Sequence, residues 1–410
     1  MKNVVILGGS YAGVSSVHYI LQHVVPQLPN SAEYKVVLVS PSAEVVTRPA
    51  TVRALISDDL LPQDQVWSNV KSILGTKYNK SNFQFVLGKA TELDTEGRVV
   101  LVELSDGSAA TERIEYHALV IATGASTPSP LFSLKTDGEG LKSTWAEFRK
   151  ALPGAKKIVF AGGGPTAVEA AAELGEHLNG RAGWFGSNKA PKVPITLVTS
   201  ASQILPFLRE SIGTTAEGYL AQLGVTVIKN AKVTSVTPDA AGVNSVADKA
   251  RLTLSNGQEI DADLYIPAFG FTPNTSFVPG NLLASDGRVN VNPSTLRVDA
   301  AGPRVYSIGD VSNYARASIY FIRLATPILG NNLKRDLLIA AGKDEASAGK
   351  DKEWKEDPGE TMIVSVGRSK GVGAMMGMKL PSWFVWALKS RNVGLSLAGG
   401  FFDGKAFDKP

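Results

Sequence analysis

One pattern limits the possible folds of this 410-residue chain more than any other: an apolar run, a glycine-rich loop and a helical stretch, occurring twice. In the first copy residues 3–7 form an apolar β-type run, residues 8–13 are rich in glycine, and apolar spacing predicts a helix over 14–25. Residues 35–39 then predict a second strand. A strand, loop, helix and strand in this order predict the start of a doubly wound sheet.

The second copy has the same order of elements further along the chain. Residues 156–161 predict a strand, residues 162–167 a glycine-rich loop, the following residues a helix through His177, and residues 195–198 another strand. The sequence therefore predicts an internal duplication of nucleotide-binding units.

The glycine loops carry the chemistry of these units. In the second loop Gly162, Gly164 and Ala167 occupy the small-residue positions of G-x-G-x-x-A. Small residues there permit a tight turn, let backbone N–H groups approach a pyrophosphate, and allow close packing of helix on strand. The first loop is less regular because Ser10 replaces the second glycine, and serine still permits close approach at some steric cost. Both loops predict dinucleotide sites.

An acidic residue that would bind the ribose is missing from the end of the second strand in each unit. Ser40 and Thr199 occupy those positions, and Glu33 precedes its strand, so we reject it as the ligand. Without a carboxylate at Thr199 nothing there repels a 2′-phosphate, and Lys189 and Lys192 can lie near it. The sequence allows NADPH and leaves the choice between NADPH and NADH open.

Three short strings complete the pattern. Residues 120–125 end in an Ala-Thr-Gly turn, residues 264–274 form a second such string with Phe269 replacing the usual threonine, and residues 305–310 deliver Asp310 at the end of a strand. In this order the strings resemble those of the two-dinucleotide-binding-domain flavoproteins, the pyridine nucleotide-disulfide reductase superfamily. The resemblance implies one unit for FAD, one for a nicotinamide dinucleotide, and an FAD contact for Asp310.

The loops and the resemblance together give two sets of predicted cofactor contacts. Those for FAD are Gly8, Gly9, Ser10, Tyr11, Ala12, Gly13, Ser40, Arg48, Arg53, Ala122, Thr123, Gly124, Gly309 and Asp310. Those for NADPH or NADH are Gly162, Gly163, Gly164, Pro165, Thr166, Ala167, Thr199 and Gly270. Arg53 has two interpretations, a contact with the FAD phosphates or a cap on local structure.

A narrower resemblance rests on residues 163–169, 364–373 and 388–391, which are similar to the ferroptosis suppressor protein family and its fungal relatives, the apoptosis-inducing-factor-like NAD(P)H:quinone oxidoreductases. That family has a glutamate and a lysine near the isoalloxazine, which implies catalytic roles for Glu169 and Lys389. A cation there stabilises reduced flavin, and a carboxylate beside the nicotinamide can orient it. The alternatives are a surface carboxylate for Glu169 and one more charge of a basic tail for Lys389.

These observations predict an α/β chain of two Rossmann-like dinucleotide-binding domains with inserted antiparallel β meanders, plus a small C-terminal α+β unit. Short β-like runs separated by turns place the meanders over 82–117 and 225–263. The predicted domains are 1–128 with 258–342 for FAD, 129–257 for NAD(P)H, a solvated linker over 343–360, and the C-terminal unit over 361–410.

The chain has no cysteine, so it can form no disulfide, thiolate metal site, iron–sulfur cluster or redox-active cysteine pair, and we expect no metal. Electrons must then leave the flavin directly. We interpret the chain as an oxidoreductase that passes hydride from NAD(P)H to FAD and electrons to a quinone-like acceptor. The alternatives are a tailoring flavin oxidoreductase of secondary metabolism and an apoptosis-inducing-factor-like signalling protein that binds nucleic acid, a partner we do not expect.

Composition bears on location and partners. With 44% apolar and 20% charged residues and no apolar run of membrane-spanning length, we expect a cytoplasmic monomer or homodimer without a signal peptide. The net charge is +4, but residues 361–410 carry seven Lys or Arg against two acids, which indicates an anionic partner or a solvated tail. Residues 380–388, with two tryptophans between flanking lysines, predict either contact with a membrane or lipid-droplet surface or core packing on the flavin domain.

Overall fold

A computed structural model of the chain describes residues 1–105, 107–108, 110–133, 138–183, 186, 188, 190–357 and 359–409, the side chain of Leu397 excepted. Lys189, which the sequence places near Thr199, lies outside these residues. The helices are α1 Tyr11–Tyr19, α2 Thr51–Ala54, α3 Val70–Lys77, α4 Gly138–Ala151, α5 Pro165–Asn179, α6 Glu210–Ala221, α7 Ile319–Ala340, α8 Ser382–Val385 and α9 Leu395–Phe402.

The strands follow the alternation of helix and strand that the sequence predicts. They are β1 Lys2–Leu7, β2 Tyr34–Ser40, β3 Glu44–Val46, β4 Trp67–Asn69, β5 Phe83–Asp94, β6 Val99–Leu104, β7 Thr111–Glu115, β8 Ala118–Ile121, β9 Ala125–Ser126, β10 Ile158–Ala161, β11 Ile195–Val198, β12 Val225–Ile228, β13 Val233–Thr237, β14 Ala250–Leu254, β15 Glu259–Ala262, β16 Leu264–Pro267, β17 Thr272–Pro273, β18 Val305–Ser307, β19 Met362–Val366, β20 Lys370–Met375 and β21 Met378–Lys379.

The first sheet has the strand order β18-β8-β1-β2-β5-β6-β7 over the described residues. Its first five strands are parallel, and β1 shows why: residues 4–7 are Val-Val-Ile-Leu, a continuous apolar run that is buried on both faces. The twelve-residue β5 pairs with β2 through its first half and with β6 through its second, where the pairing becomes antiparallel. β7 completes this meander, so the first predicted insertion is confirmed.

The second sheet, in the order β12-β11-β10-β16, is parallel throughout its described strands. A separate antiparallel meander, β13-β14-β15, begins at Val233, so the second insertion is also confirmed but is shorter than predicted. The predicted domain boundary after residue 257 is wrong. β15 belongs to this meander and β16 pairs with β10, which places residues 258–267 in the second unit. The α/β class with two Rossmann-like units is confirmed.

The C-terminal unit bridges both halves of the molecule. Its strands β19 and β20 share a core with helices α4, α5 and α6 of the second unit. Its helix α9 places Phe401 and Phe402 in the core of the first sheet, where both rings contact Tyr11 of α1. The C-terminal unit, residues 361–410, is therefore positioned by both nucleotide-binding units together.

Residues 380–388 were predicted either to contact a lipid surface or to pack in the core, and the structure has both buried and exposed side chains there. Val385 is buried, but Trp383 is 69% and Trp386 is 37% exposed, so core packing is wrong for the two tryptophans. Contact with a lipid surface stays a prediction. None of the described helices is both long and apolar enough to cross a membrane.

The solvated linker predicted over 343–360 is instead bound along the first unit. Its described residues form no helix or strand, but Trp354 is 5% exposed and its backbone N–H donates to the carbonyl oxygen of Ser294 at 2.7 Å. The charges that indicated solvation are partly paired, since Asp351 and Asp336 together hold Arg297 at 2.8 and 2.7 Å. This bound segment leads the chain to the C-terminal unit.

We expect Trp354→Ala to lower the free energy of unfolding by about 3–5 kcal/mol, as for other large buried aromatic side chains. The indole packs edge-on against Tyr314 and Phe321, with ring centroids at 5.2 and 5.9 Å. Trp383→Ala is the matched control because that indole is exposed, and surface substitutions usually change stability by less than about 0.5 kcal/mol. Urea unfolding followed by circular dichroism measures both. Equal stability of the two variants would contradict the bound-segment assignment.

A buried histidine of α1 anchors the C-terminal residues. His18 is fully buried, with Nε2 2.9 Å from the carbonyl oxygen of Phe402 and Nδ1 2.8 Å from the hydroxyl of Tyr78. Burial lowers the pKa of His18 to about 4, so the imidazole is neutral in the folded protein at neutral pH.

This shift predicts that stability falls as the pH is lowered below about 6.5, the pKa of an unfolded histidine. The unfolded chain binds the proton first, so the stabilisation is complete above that pH and is lost progressively toward the folded pKa of about 4. His18→Gln should remove about 2 kcal/mol of the change in unfolding free energy between pH 7 and pH 5. Urea unfolding at both pH values measures it. An unchanged pH dependence in the variant would show that His18 does not titrate in this range.

Candidate active site

The two glycine loops have matching backbone geometry. Gly8 follows β1 with φ of +113° and Gly162 follows β10 with φ of +131°, a region that side-chain-bearing residues rarely adopt. A Cβ atom on Gly8 would overlap the carbonyl oxygen of Ala122, and one on Gly162 would overlap that of Ala268. Each loop thus crosses closely over the end of a neighbouring strand, β8 or β16.

The polar residues at the two strand ends lie directly under these loops. Ser40 and Thr199 are 4% and 5% exposed. A Cβ atom on Gly163 would come within 2.5 Å of the Thr199 hydroxyl, and one on Gly9 would overlap the Ser40 hydroxyl. The structure therefore places both predicted residues against their loops. Lys192 is exposed, and no contact brings it to Thr199.

Both loops end at helix N-termini that suit an anion. Ser10 precedes α1 and its side chain makes no capping hydrogen bond, and Gly164 precedes α5 and has no side chain to make one. The first-turn N–H groups of both helices are consequently free of a side-chain cap and available to a phosphate. A Cβ atom on Gly164 would meet no protein atom within 4 Å, so the space before α5 is open. This cradle fits a dinucleotide pyrophosphate.

The remaining loop residues serve packing as well as binding. Tyr11, Ala12 and Gly13 are buried at the start of α1, and Gly309 lies so close that its Cβ would be 2.9 Å from that of Ala12. At the start of α5, Pro165 is the first helical residue and lacks an N–H to donate, while Thr166 is exposed and Ala167 is buried. At these positions the backbone of the buried residues and the exposed Thr166 are available to a nucleotide phosphate.

The two Ala-Thr-Gly-like strings lie together where the chain crosses between units. β9 pairs antiparallel with β17. The Thr123 hydroxyl donates to the carbonyl oxygen of Asn274 at 2.8 Å, and the Asn274 amide donates back to that of Thr123 at 2.9 Å. Gly124 and Gly270 both have positive φ, of 68° and 65°, and face open space. These hydrogen bonds therefore hold together the two segments in which the chain passes between the units.

Asp310 and Arg48 form the charged part of the first site. Gly309, with φ of +87°, turns the chain after β18 so that Asp310 lies near the start of α1. Burial raises the pKa of Asp310, and the positive charge of Arg48 opposes that shift. Arg48 also donates to the carbonyl oxygen of Phe132. Opposite charges beside the uncapped α1 suit the ribityl and phosphate groups of FAD.

Arg53 does not belong to this set, and its assignment as an FAD contact is corrected. It is 4% exposed and forms a bidentate ion pair with Glu173 of α5 at 2.9 and 2.7 Å. Its remaining N–H groups donate to the carbonyl oxygens of Ser390 and Arg391 at 2.8 and 3.1 Å. The guanidinium therefore finds its hydrogen-bond partners within the protein. This agrees with the second interpretation, in which Arg53 caps local structure.

Glu169 and Lys389, predicted separately, lie together as a buried ion pair. Lys389 Nζ is 2.7 Å from Glu169 Oε1, with side chains 14% and 6% exposed. The same carboxylate oxygen accepts from the N–H of Ser365 at 2.8 Å, and Lys389 donates to the carbonyl oxygen of Ile363 at 3.0 Å. Lys389 lies in a single π-helical turn, Trp386–Ser390, a distortion often found at functional sites. Neither residue is a solvated surface charge.

Sequence reasoning missed Glu173 and Glu176, which share a helix face with Glu169. Glu176 accepts from the N–H of Arg368 at 2.7 Å and pairs with Arg181 at 3.3 Å. Three glutamates at positions i, i+4 and i+7 of an alanine-rich helix were a signal that could have found them.

The chain belongs to the pyridine nucleotide-disulphide oxidoreductase family, whose profile matches residues 2–326. It is 52% identical over 410 residues to "Oxidoreductase phnG" of Penicillium herquei, covering 100% of this chain and 97% of that protein. It is 25% identical over 401 residues to ferroptosis suppressor protein 1 of Xenopus laevis, covering 96% of this chain and 94% of that protein. The family resemblance predicted from the motif strings is confirmed.

Solved structures share the fold. The structure of NDH2 from Plasmodium falciparum in complex with NADH matches with a TM-score of 0.64 at 14% identity, covering 100% of this chain and 99% of that one. Together with the family, the two fitted cradles make FAD and a nicotinamide dinucleotide the cofactors of this chain. The protein is a flavin-dependent NAD(P)H oxidoreductase.

Proposed function

We propose that this oxidoreductase passes electrons from NAD(P)H through FAD to a quinone-like small molecule. FAD, when bound, supplies the redox chemistry by accepting a hydride and releasing electrons to an acceptor. The observation that carries the proposal is the buried pair of Glu169 and Lys389, 2.7 Å apart, which joins the nucleotide-binding helix α5 to the C-terminal unit. Buried ion pairs are expensive to desolvate, so a pair kept at the junction of two units is a candidate for function.

The protein's own residues hold and orient the two cofactors. The open N-terminus of α5 beyond Gly164 binds the pyrophosphate of the nicotinamide nucleotide. The first loop, with Arg48 and Asp310, binds FAD. Lys389 keeps a positive charge at low exposure, where it can stabilise negative charge created by reduction, and Glu169 fixes the position of its ammonium group.

The absence of cysteine supports a direct transfer to the acceptor. Disulfide reductases relay electrons from flavin through a cysteine pair, and this chain contains none. A planar, apolar acceptor such as a quinone needs no thiol relay and takes electrons from flavin directly. A quinone meets this requirement, and the resemblance to the quinone oxidoreductases supports it as the acceptor.

Anaerobic stopped-flow titration of the purified protein tests the proposal. The flavin absorbance should bleach with NADPH, NADH or both, and a short-chain ubiquinone added next should restore it. Protein reduced with dithionite isolates the acceptor step, since it needs no nucleotide. Failure of quinone to reoxidise the dithionite-reduced protein would remove the quinone assignment and favour a dedicated metabolite as acceptor. Failure of both nucleotides to bleach the flavin would contradict the oxidoreductase function as a whole.

A further inference from the structure

One face of α5 carries three carboxylates, of which Glu169 and Glu173 are buried and Glu176 is partly buried. Glu169, Glu173 and Glu176 are spaced by four and three residues, which places them in a row along the helix. Their side chains are 6%, 1% and 11% exposed. Carboxylates buried this closely destabilise the fold unless each has its own cation or N–H donors.

The outer two glutamates hold the C-terminal unit directly. Glu169 binds Lys389 Nζ at 2.7 Å and the N–H of Ser365 at 2.8 Å. Glu176 accepts from the N–H of Arg368 at 2.7 Å. The two outer glutamates thus bind the C-terminal end of β19, the turn that follows it, and Lys389.

The central glutamate acts through an arginine from the other unit. Glu173 pairs with Arg53 of α2, and the same guanidinium donates to the carbonyl oxygens of Ser390 and Arg391. Those two residues directly follow Lys389 in the chain. One side chain therefore ties the first unit, helix α5 and the main chain next to Lys389 together.

We propose that Arg53, held by Glu173, is a positioning residue that sets the place of the Lys389 ammonium group in the active site. The inference rests on the proposed function, because it takes Lys389 to act on the flavin reaction. Arg53 itself makes its polar contacts with protein groups and acts through the backbone of Ser390 and Arg391. The position of Lys389 is then fixed in two ways. Arg53 holds the main chain of the next two residues, and Glu169 binds the ammonium group.

The geometry requires the planar fork of arginine. Arg53 serves both oxygens of Glu173 and two separate carbonyl oxygens, which a lysine ammonium on a single point cannot do. Burial raises the pKa of Glu173, while the guanidinium opposes that shift. Arg53→Lys keeps a cation beside Glu173 but loses hydrogen bonds to the carbonyl oxygens of Ser390 and Arg391. An effect of this substitution therefore reports on positioning and not on charge.

The first measurement is steady-state turnover of Arg53→Lys per bound FAD. We expect kcat to fall roughly tenfold, since small misplacements of catalytic groups have effects of this order or larger. The KM for the nucleotide should not change, because the Gly164 cradle is untouched. Arg149→Lys is the matched control: Arg149 also reaches across to the segment around α2, binding Asp58 and the carbonyl oxygen of Ala54, and among the described residues its hydrogen bonds go to that segment and not to the C-terminal unit. Its kcat should match that of the wild type.

The second measurement combines Arg53→Lys with Lys389→Ala. If Arg53 acts through Lys389, the double variant has the kcat of Lys389→Ala alone. If the double variant instead loses the product of the two single-variant losses in kcat, the positioning role is overturned. It is also overturned if Arg53→Lys has the wild-type kcat while Lys389→Ala is slow. A wild-type kcat for Lys389→Ala would overturn both this role and the place of Lys389 in the proposed function. If Arg53→Lys does not retain FAD, Glu173→Gln, which keeps the shape and removes the charge that orients Arg53, is put through the same cycle.

Discussion

Gly164→Glu is expected to abolish reduction of the flavin by NADPH and NADH while the protein keeps its FAD. A Cβ at this position meets no protein atom within 4 Å, so the new side chain enters open space before α5 without disturbing the fold. There it places bulk and negative charge where the pyrophosphate binds. We expect a loss of roughly hundredfold or more in nucleotide affinity, since like-charge contacts are unfavourable by several kcal/mol. Anaerobic flavin bleaching against nucleotide concentration measures the loss.

Gly218→Glu provides a matched control for this variant. Gly218 is an exposed residue of α6 in the same unit, and a Cβ there also meets no atom within 4 Å. Both variants therefore add the same charge to the second unit, but only one adds it at the helix N-terminus. Dithionite should bleach both, which shows that their flavin is intact. Normal reduction of Gly164→Glu by either nucleotide would mean that the second loop is not the nicotinamide site.

Features that depend on neighbours in sequence were predictable. The positive φ of Gly8 and Gly162 follows from tight turns between strand and helix, which only a few residue patterns allow. The same is true of the parallel strands β1 and β10, whose apolar runs have no alternation and so predict burial on both faces. Such local patterns determine the two cradles almost completely.

Contacts between distant segments were not predictable in the same way. The sequence shows three glutamates on α5, but nothing local indicates that Arg53, 120 residues away, meets the central one. The sequence alone left two interpretations of Arg53, a contact with the FAD phosphates and a cap on local structure, and its tertiary contacts agree with the second. Partner choice among buried charges depends on the packing of three separate segments, and that packing is a property of the tertiary structure.

The prediction of a solvated linker over 343–360, which was based on average composition, was also wrong. Its many charges indicate a solvated linker, yet a single tryptophan among them, Trp354, is buried against aromatic residues of the first unit. One large apolar side chain can provide enough burial to dock a polar segment, because each such ring is worth several kcal/mol when buried. The predicted domain boundary after residue 257 is wrong for a related reason. The residues of β16 do not show which unit the strand belongs to; only its pairing with β10 does.

Lys389→Ala is expected to slow turnover with quinone roughly ten- to hundredfold per bound FAD, the order expected when a preorganised charge is removed from an active site. The substitution also leaves Glu169 buried without its cation, and breaking a buried pair in this way destabilises proteins by about 3–5 kcal/mol. A slow variant therefore has two explanations, loss of a charge that acts on the flavin or loss of local structure. Lys379→Ala is the control for charge in the same unit, because Lys379 is exposed and its ammonium group donates to Ser211 and Thr215 of α6.

The double variant Lys389→Ala with Glu169→Gln separates the two explanations. Removing the carboxylate together with its cation leaves no uncompensated buried charge, so the free energy of unfolding should recover toward that of the wild type. Turnover should not recover if the charged pair acts on the flavin reaction, because both of its charges are missing. Recovery of stability without recovery of rate, measured by urea unfolding and stopped-flow reoxidation of the same preparation, assigns the Glu169–Lys389 pair to the chemistry. If the rate returned together with the stability, the ion pair would be a structural clamp between α5 and the C-terminal unit, and the cation that assists the flavin would have to lie elsewhere.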